Sequence, residues 1–101
     1  MQRRKYHPNA YLERRRNVIR GLKARTKILE VMGRANALTI KEVSSLAVLS
    51  YSVSRHHLRL LEDEQIVKRK GKRPYKWEIT GKGQKRLNQL NQNLYTQRGD
   101  K

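Results

Sequence analysis

The sequence predicts a mainly α-helical fold with one small antiparallel β-hairpin. A helix is indicated where Ile28, Leu29 and Met32 recur on one face at helical spacing. A second helix start is indicated by Thr39 and Glu42, which have the spacing of a capping box. Two short runs of strand-type residues then flank a link that contains glycine and proline. Helices followed by such a hairpin predict a single small domain of this class.

The charge of the chain limits the class of partner. The 101 residues carry 25 Lys and Arg against 8 Asp and Glu, a formal net charge of +17. Self-repulsion of that size would be relieved by a polyanion, so nucleic acid is the first candidate partner. An anionic membrane surface is the second, but no apolar run approaches the roughly 20 residues that span a bilayer. The absence of cysteine excludes disulfides and thiolate metal sites, and it fits an intracellular protein.

The sequence predicts three segments: a basic arm or helix over residues 1–23, a domain over residues 24–95 and a polar tail over residues 96–101. Asn9 is placed to cap a helix in the first part. An irregular apolar stripe follows it, made of Tyr11, Leu12, Val18, Ile19 and Leu22. This pattern fits either an ordinary amphipathic helix with a solvated charged face or a phosphate-binding extension. Gly21 leaves open whether there is one long helix or two.

A predicted helix over residues 24–33 is followed by a second helix from Thr39 to about Ala47. Val48 and Leu49 are expected to form the tight turn after it. The inward-facing side chains of the second helix are expected to be Ile40, Val43, Leu46 and Ala47.

The helix after this turn is expected to be capped by Ser50 or Ser52. Its buried stripe at i, i+4 and i+7 is predicted to be Ser54, Leu58 and Leu61. Its opposite face is predicted to carry Ser52, Arg55, His56 and Arg59. The acidic residues 62–64 close the helix at the end farthest from the cap, where they would not repel phosphates.

Residues 66–70 and 75–79 are predicted to be the two strands of a hairpin, linked by residues 71–74. Six of nine consecutive residues in and around the link, from 68 to 76, are basic and none is acidic. Trp77 is expected in the core, with an exposed stacking platform for an unpaired base as the alternative. A last helix is predicted after a Thr80 cap. Its apolar stripe is expected to be Leu87, Leu90 and Leu94.

The ordered pattern LAVLSYSVSRHHLRLLEDEQIVKRKGKRPYKWEITGKG resembles winged helix-turn-helix regulators of the MarR, ArsR and PadR-like type, especially short archaeal ones. In those families a serine-rich turn opens a helix, and a strand, a basic wing and a segment ending in Lys-Gly follow. Here these pieces are residues 52–62, 66–69, 71–74 and 75–83. The resemblance extends over residues 24–90 and departs from the family at two positions. Gln65 stands where glycine is usual, and Ser54 where an apolar residue is usual.

The resemblance implies a winged-helix domain that binds double-stranded DNA. The helix after the turn would enter the major groove, where arginine can bond guanine O6 and N7. Its candidate contact residues are Tyr51, Ser52, Arg55, His56 and Arg59. The candidates in the wing, which would hold phosphates, are Lys68, Lys70, Lys72, Arg73 and Lys76. The candidates in the N-terminal arm are Arg3, Arg4, Lys5, Arg14, Arg15 and Arg16.

Each candidate also has an interpretation without a ligand. Arg55 and the wing cations could be solvated surface charges, and His56 could equally be a surface residue. His57 is interpreted as an internal or boundary histidine. Tyr51 could pack beside the turn.

The serines near His56 and His57 do not predict catalysis. The candidate acids lie at the far end of the helix, and a nucleophile needs a base that a third group holds in place. Two adjacent histidines on a helix point about 100° apart, which disfavours a shared metal ion. The sequence also has no glycine-rich phosphate loop. We therefore expect no enzyme activity, no metal and no cofactor.

The predicted function is DNA binding, as a transcription regulator or a chromatin-associated protein in the cytoplasm, at the nucleoid. The alternative is an RNA-binding or ribosome-associated protein, because charge is spread over the arm, helix, wing and tail. An interaction module for another protein is a third class. A homodimer through the terminal helices is also expected, unless the leucines of the last helix cover the N-terminal helix of the same chain.

Overall fold

The computed structural model of the chain describes residues 6–35 and 37–81. These residues form three α-helices and a two-stranded antiparallel hairpin, preceded by one short 3₁₀ turn. The helices are α1 (Ile19–Gly33), α2 (Ile40–Ala47) and α3 (Tyr51–Asp63), the strands are β1 (Val67–Lys70) and β2 (Lys76–Ile79), and the 3₁₀ turn is Pro8–Ala10. The predicted class, mainly helical with a small hairpin, is confirmed. The predicted leucine helix after Thr80 lies outside the described residues.

The helix expected after Asn9 is absent, because residues 11–18 are not helical and α1 begins only at Ile19. Asn17 accounts for the difference, since its amide closes a local loop. The Leu12 N–H donates to Asn17 Oδ1 at 2.8 Å, and Asn17 Nδ2 donates to the Leu12 carbonyl at 3.0 Å. An asparagine side chain that satisfies the backbone in this way competes with helix formation.

The described part of the N-terminal segment packs onto the core. Ala10 and Leu12 are buried among the apolar side chains of the helices. The His7 N–H donates to Thr26 Oγ1 on α1 at 3.0 Å. Residues that were interpreted as a basic extension therefore contribute apolar side chains to the domain.

The helix–turn–helix of α2 and α3 follows the predicted local signals. Thr39 and Glu42 make both hydrogen bonds of the capping box, and Ser50 caps α3 by accepting from the Val53 N–H at 3.1 Å. Val48 turns the chain with a left-handed conformation, φ 56°. The prediction that Leu46 faces inward is wrong, because its side chain is 59% exposed. α2 has only eight residues, and the stripe of side chains that it turns toward the core is too narrow to include Leu46.

The end of α3 directs the chain into the hairpin. The Gln65 N–H donates to the Glu62 carbonyl and the Ile66 N–H to the Leu61 carbonyl, both at 2.9 Å. This is the Schellman pattern, which requires a left-handed residue. Gln65 supplies it with φ 64°, where glycine would be unstrained. Gln65 therefore takes the place of the usual glycine at the cost of local backbone strain.

The hairpin closes the core from the other side. β1 pairs with β2 so that Val67 faces Ile79 and Lys70 faces Lys76. Leu38 extends the pairing, because it exchanges backbone hydrogen bonds of 2.7 and 3.1 Å with Trp77. Trp77 is 2% exposed, so its expected core position is confirmed and it offers no platform to an unpaired base.

The core lies between the three helices and the hairpin. Its side chains without measurable exposure include Ile28, Leu29, Val43, Leu58, Leu61 and Ile66. The predicted stripe of α3 is confirmed, including Ser54, which is buried with the leucines. In the part of the chain that the structure describes, no helix is long and apolar enough to cross a bilayer.

The strain at Gln65 predicts a stabilising substitution. Gln65→Gly should raise the free energy of unfolding by about 1 kcal/mol, because a residue with a Cβ is disfavoured in this conformation. Urea denaturation would measure the change. The matched control is Ser45→Gly in the exposed middle of α2, which should lower stability by about 0.5 kcal/mol. A loss of stability in Gln65→Gly would contradict the strain.

Candidate nucleic-acid interface

The outer face of α3 is an exposed polar surface. It is on the side opposite Ser54, His57, Leu58 and Leu61, which are buried. Its side chains line a surface concavity together with residues at its margins. The lining residues are Tyr51, Ser52, Arg55, His56, Arg59, Leu60 and Asp63.

All five helix residues singled out from the sequence lie in this concavity and are exposed. Tyr51 is 55% exposed, so it is not packed beside the turn. His57 is 8% exposed, which confirms its internal position. The concavity therefore combines two guanidinium groups, an imidazole, a hydroxyl and an aromatic ring on one helical surface.

The wing cations fall into two groups. Lys68 and Lys70 lie on either side of Glu78, with Nζ to carboxylate distances of 3.7 and 3.9 Å. Lys72, Arg73 and Lys76 are exposed, and none of the three forms an ion pair within the described residues. Three wing cations thus keep a full charge for an outside anion, and the other two share one carboxylate.

Arg69, which sequence reasoning left out, joins the hairpin to α3. Its Nε donates to Glu62 Oε2 at 2.9 Å. Its guanidinium also lies 5.2 Å from the ring centre of Tyr75 and 5.6 Å from that of Trp77. A planar cation held between a carboxylate and two rings fixes the position of the hairpin relative to α3. The i, i+2 alternation of Tyr75 and Trp77 was the available signal for this arrangement.

The structure describes three of the six arm candidates. Arg3, Arg4 and Lys5 lie outside the described residues. Arg14, Arg15 and Arg16 are exposed, near the C-terminal end of α3. Arg15 pairs with Asp63 at 2.9 Å. Since α3 has 13 residues, this end is about 18 Å from its first turn.

The acidic residues at the end of α3 are not a free acidic patch. Glu62 binds Arg69, and Asp63 binds Arg15. Glu64 is buried, and its carboxylate accepts from the N–H groups of Glu13 and Arg14, each at 3.1 Å. These carboxylates therefore anchor the neighbouring segments to the end of α3.

A buried guanidinium fixes the inner side of α3. Arg25 on α1 is 2% exposed. It donates to the Ala10 carbonyl at 2.6 Å and to Asn17 Oδ1 at 3.1 Å, and its Nη1 is 3.2 Å from His57 Nδ1. Gly21 makes room for it, because a Cβ there would lie 2.8 Å from Nη1. Nothing in the sequence pattern marked Arg25, since it resembles any other surface arginine.

The Arg25 contact defines the protonation state of His57. Burial, the Arg25 charge and His56 together lower the pKa of His57 to about 4. A neutral ring accepts the Arg25 hydrogen bond at Nδ1 and carries its own proton on Nε2. Burial also lowers the pKa of Arg25, while the Glu64 carboxylate opposes that effect. In residues 6–35 and 37–81 no group of three His, Cys, Asp or Glu side chains is arranged to hold a metal ion.

No family model matches this sequence, and no curated protein matches it. Solved structures with a similar fold include two from Silicibacter pomeroyi. A MarR family transcriptional regulator from Silicibacter pomeroyi aligns with a TM-score of 0.62 and 22% identity, over 73% of this chain and 50% of that one. The chain has a winged-helix fold. A MarR family transcriptional regulator from Silicibacter pomeroyi DSS-3 gives 0.57 and 14%, over 73% and 54%.

The similarity identifies the elements of the winged-helix fold in this chain. α2 and α3 are the helix-turn-helix of the winged helix, and the β1–β2 hairpin with its loop, residues 67–79, is the wing. The predicted winged-helix fold is therefore confirmed. The chain spans about half the length of the two solved structures that it matches.

The lowered pKa of His57 predicts acid sensitivity. The unfolded chain takes up a proton on His57 below about pH 6.5, whereas the folded chain resists this down to about pH 4. Stability from this group is therefore complete above pH 6.5 and is lost as pH falls. Between about pH 7 and pH 5 the free energy of unfolding should drop by about 2 kcal/mol.

Urea denaturation at several pH values would measure this drop. His57→Asn keeps an acceptor for Arg25 but cannot titrate, so most of the drop should vanish. His56→Asn, on the exposed side of α3, should retain it. Equal pH dependence in His57→Asn and the unsubstituted protein would refute the assignment.

Proposed function

We propose that this protein binds double-stranded DNA as a transcription regulator or a chromatin-associated protein. The observation that carries the proposal is the joint exposure of the α3 outer face and the unpaired wing cations on a winged-helix fold. In such folds the second helix of the helix-turn-helix is suited to the major groove. The solved neighbours are described as transcriptional regulators, which supports the same role here.

The outer face of α3 would read bases in the major groove. Arg55 and Arg59 can each form a two-pronged contact with guanine O6 and N7, and Ser52 can bond a base edge or a phosphate. His56 offers a ring nitrogen, and Tyr51 offers a hydroxyl at the first turn of the helix. These side chains are free to do so because Ser54 and His57 face the core instead.

The wing would hold the phosphate backbone. Lys72, Arg73 and Lys76 are the strongest candidates, since they form no ion pair within the described part of the chain. Lys68 and Lys70 would contribute less because Glu78 lies between them. In the arm, Arg3, Arg4 and Lys5 remain proposed phosphate contacts, together with Arg14, Arg15 and Arg16 near the end of α3.

RNA binding is a second candidate function. It is favoured by the exposed cations that lie outside α3 and the wing, because a folded RNA can contact several faces of a protein at once. Competition binding at about 0.15 M salt, a physiological ionic strength, would decide between them. Preference for a few genomic DNA fragments would support a regulator, and equal binding to all duplexes would support a chromatin role. Preference for structured RNA would refute DNA as the partner.

A homodimer through terminal helices is also proposed, with Leu87, Leu90 and Leu94 as its apolar contacts. Sedimentation at high concentration would test it. A single species of 12.0 kDa would exclude the dimer. Localisation at the nucleoid follows from the proposed DNA binding.

The role of the α3 outer face predicts the effect of removing its base contacts. Arg55→Ala with His56→Ala should weaken binding to a preferred duplex by about 100-fold, since each good base contact contributes about 1–3 kcal/mol of discrimination. Binding to random duplex should fall much less. Titration of both duplexes by fluorescence anisotropy would measure the ratio. Lys41→Ala on α2 is the control and should change neither affinity. An unchanged ratio in the double variant would reject base reading by α3.

The position of Arg69 predicts that the planar shape of its guanidinium matters more for DNA affinity than its charge does. Arg69→Lys keeps the charge but loses the planar contact with Glu62 and the two rings, so DNA affinity should fall about tenfold, or 1.4 kcal/mol. The slope of affinity against salt should stay the same, because no phosphate contact is removed. Arg73→Lys at the tip of the wing is the matched control and should bind normally. Equal effects of the two substitutions would contradict the role of Arg69.

A further inference from the structure

The outer face of α1 is a second basic surface. It carries Arg20, Lys23, Lys27 and Arg34, all exposed, with Glu30 as its acidic member. None of the four cations forms an ion pair within residues 6–35 and 37–81. The four therefore keep their full charge.

This surface points away from α3. At about 100° per residue, the four cations lie within about 40° of the direction opposite Arg25. Arg25 is the residue through which α1 contacts His57 of α3. Because the two helices meet by their inner sides, the α1 surface and the α3 outer face are on opposite sides of the domain.

The acidic side chains are distributed unequally between the two sides of the domain. Glu62, Asp63 and Glu78 form ion pairs with cations of the wing and the N-terminal segment. Glu30 is the single carboxylate of the α1 surface and pairs with none of its cations in the described part of the chain. With four cations and one carboxylate, the α1 surface carries a net charge of +3.

The dimensions of the α1 surface fit a duplex. Arg20 and Arg34 are 14 residues apart, which is about 21 Å along a helix. Duplex DNA presents about 12 phosphate charges over that length. An apolar partner would gain little here, since Ile19 is the one exposed large apolar side chain of α1 and it lies at the first residue of the helix.

We propose that the outer face of α1 is a second duplex-binding surface, so that one molecule joins two DNA segments. The proposal rests on the proposed function, in which the first duplex occupies α3 and the wing. The α1 contacts are charge contacts with phosphates, so the second segment is bound without sequence preference. A protein that holds two segments in this way would bridge or compact DNA.

The test is the stoichiometry of the full chain with a short duplex in excess at low salt. A duplex of about 12 base pairs is far shorter than the persistence length of about 150 base pairs, so one duplex cannot bend around to reach both surfaces. Sedimentation equilibrium would give the mass of the complex. We expect one protein molecule with two duplexes. A dimer that binds one duplex per subunit would give a ratio of one to one and would overturn the proposal.

Two matched variants separate the surfaces, each with three charges removed. Arg20→Gln, Lys23→Gln and Lys27→Gln together should weaken the second binding step by more than about tenfold and lower its salt slope by about 2.7. Arg55→Gln, Arg59→Gln and Arg73→Gln together should remove the first step and leave one duplex on α1. All six substitutions together should weaken both binding steps. Circular dichroism checks the fold, which exposed substitutions of this kind should leave intact.

The outcomes distinguish this inference from the proposed function. If the α1 variant still binds two duplexes, or if the unsubstituted protein binds one, the second surface is refuted. If the α3 and wing variant binds two duplexes like the unsubstituted protein, the proposed function fails instead. A second site that takes structured RNA but no duplex DNA would also overturn the inference.

Discussion

The buried guanidinium of Arg25 ties the N-terminal segment and α3 to α1. A charge with 2% exposure is costly unless it is hydrogen bonded, and Arg25 reaches the Ala10 carbonyl, Asn17 and His57 at once. The N-terminal segment, α1 and α3 are thereby tied at a single point. With His57 facing inward, the residues two positions before and after it lie about 160° around the helix from it and point outward. Those residues are Arg55 and Arg59, and both are exposed.

The carboxylates perform a related task at the other end of α3. Glu62 binds the side chain of Arg69 in the wing, and Asp63 binds the side chain of Arg15 in the arm. Glu64 binds the backbone of the arm. A small domain with a net charge of +17 must limit its self-repulsion. These three acids lie where segments meet, so they stabilise the fold.

Local signals predicted the elements whose causes are local. The capping box at Thr39 and the serine cap at Ser50 depend on neighbours within three residues, and both are present. The helix expected after Asn9 was wrong because Asn17, several residues away, satisfies the backbone of a loop. The prediction that Leu46 faces inward was wrong because an apolar residue on a short helix is not necessarily in the core.

The sequence by itself determined the order of helices and hairpin, the burial of Trp77 and the basic wing, since periodicity, caps and composition follow directly from residue types. Only the tertiary structure decided which cations are free. Arg15, Arg25 and Arg69 look alike in the sequence, yet one lies in an exposed ion pair, one is buried and one braces the wing. Charges act over distances in space, and partners such as Arg15 and Asp63, which are 48 residues apart, cannot be matched by spacing along the chain.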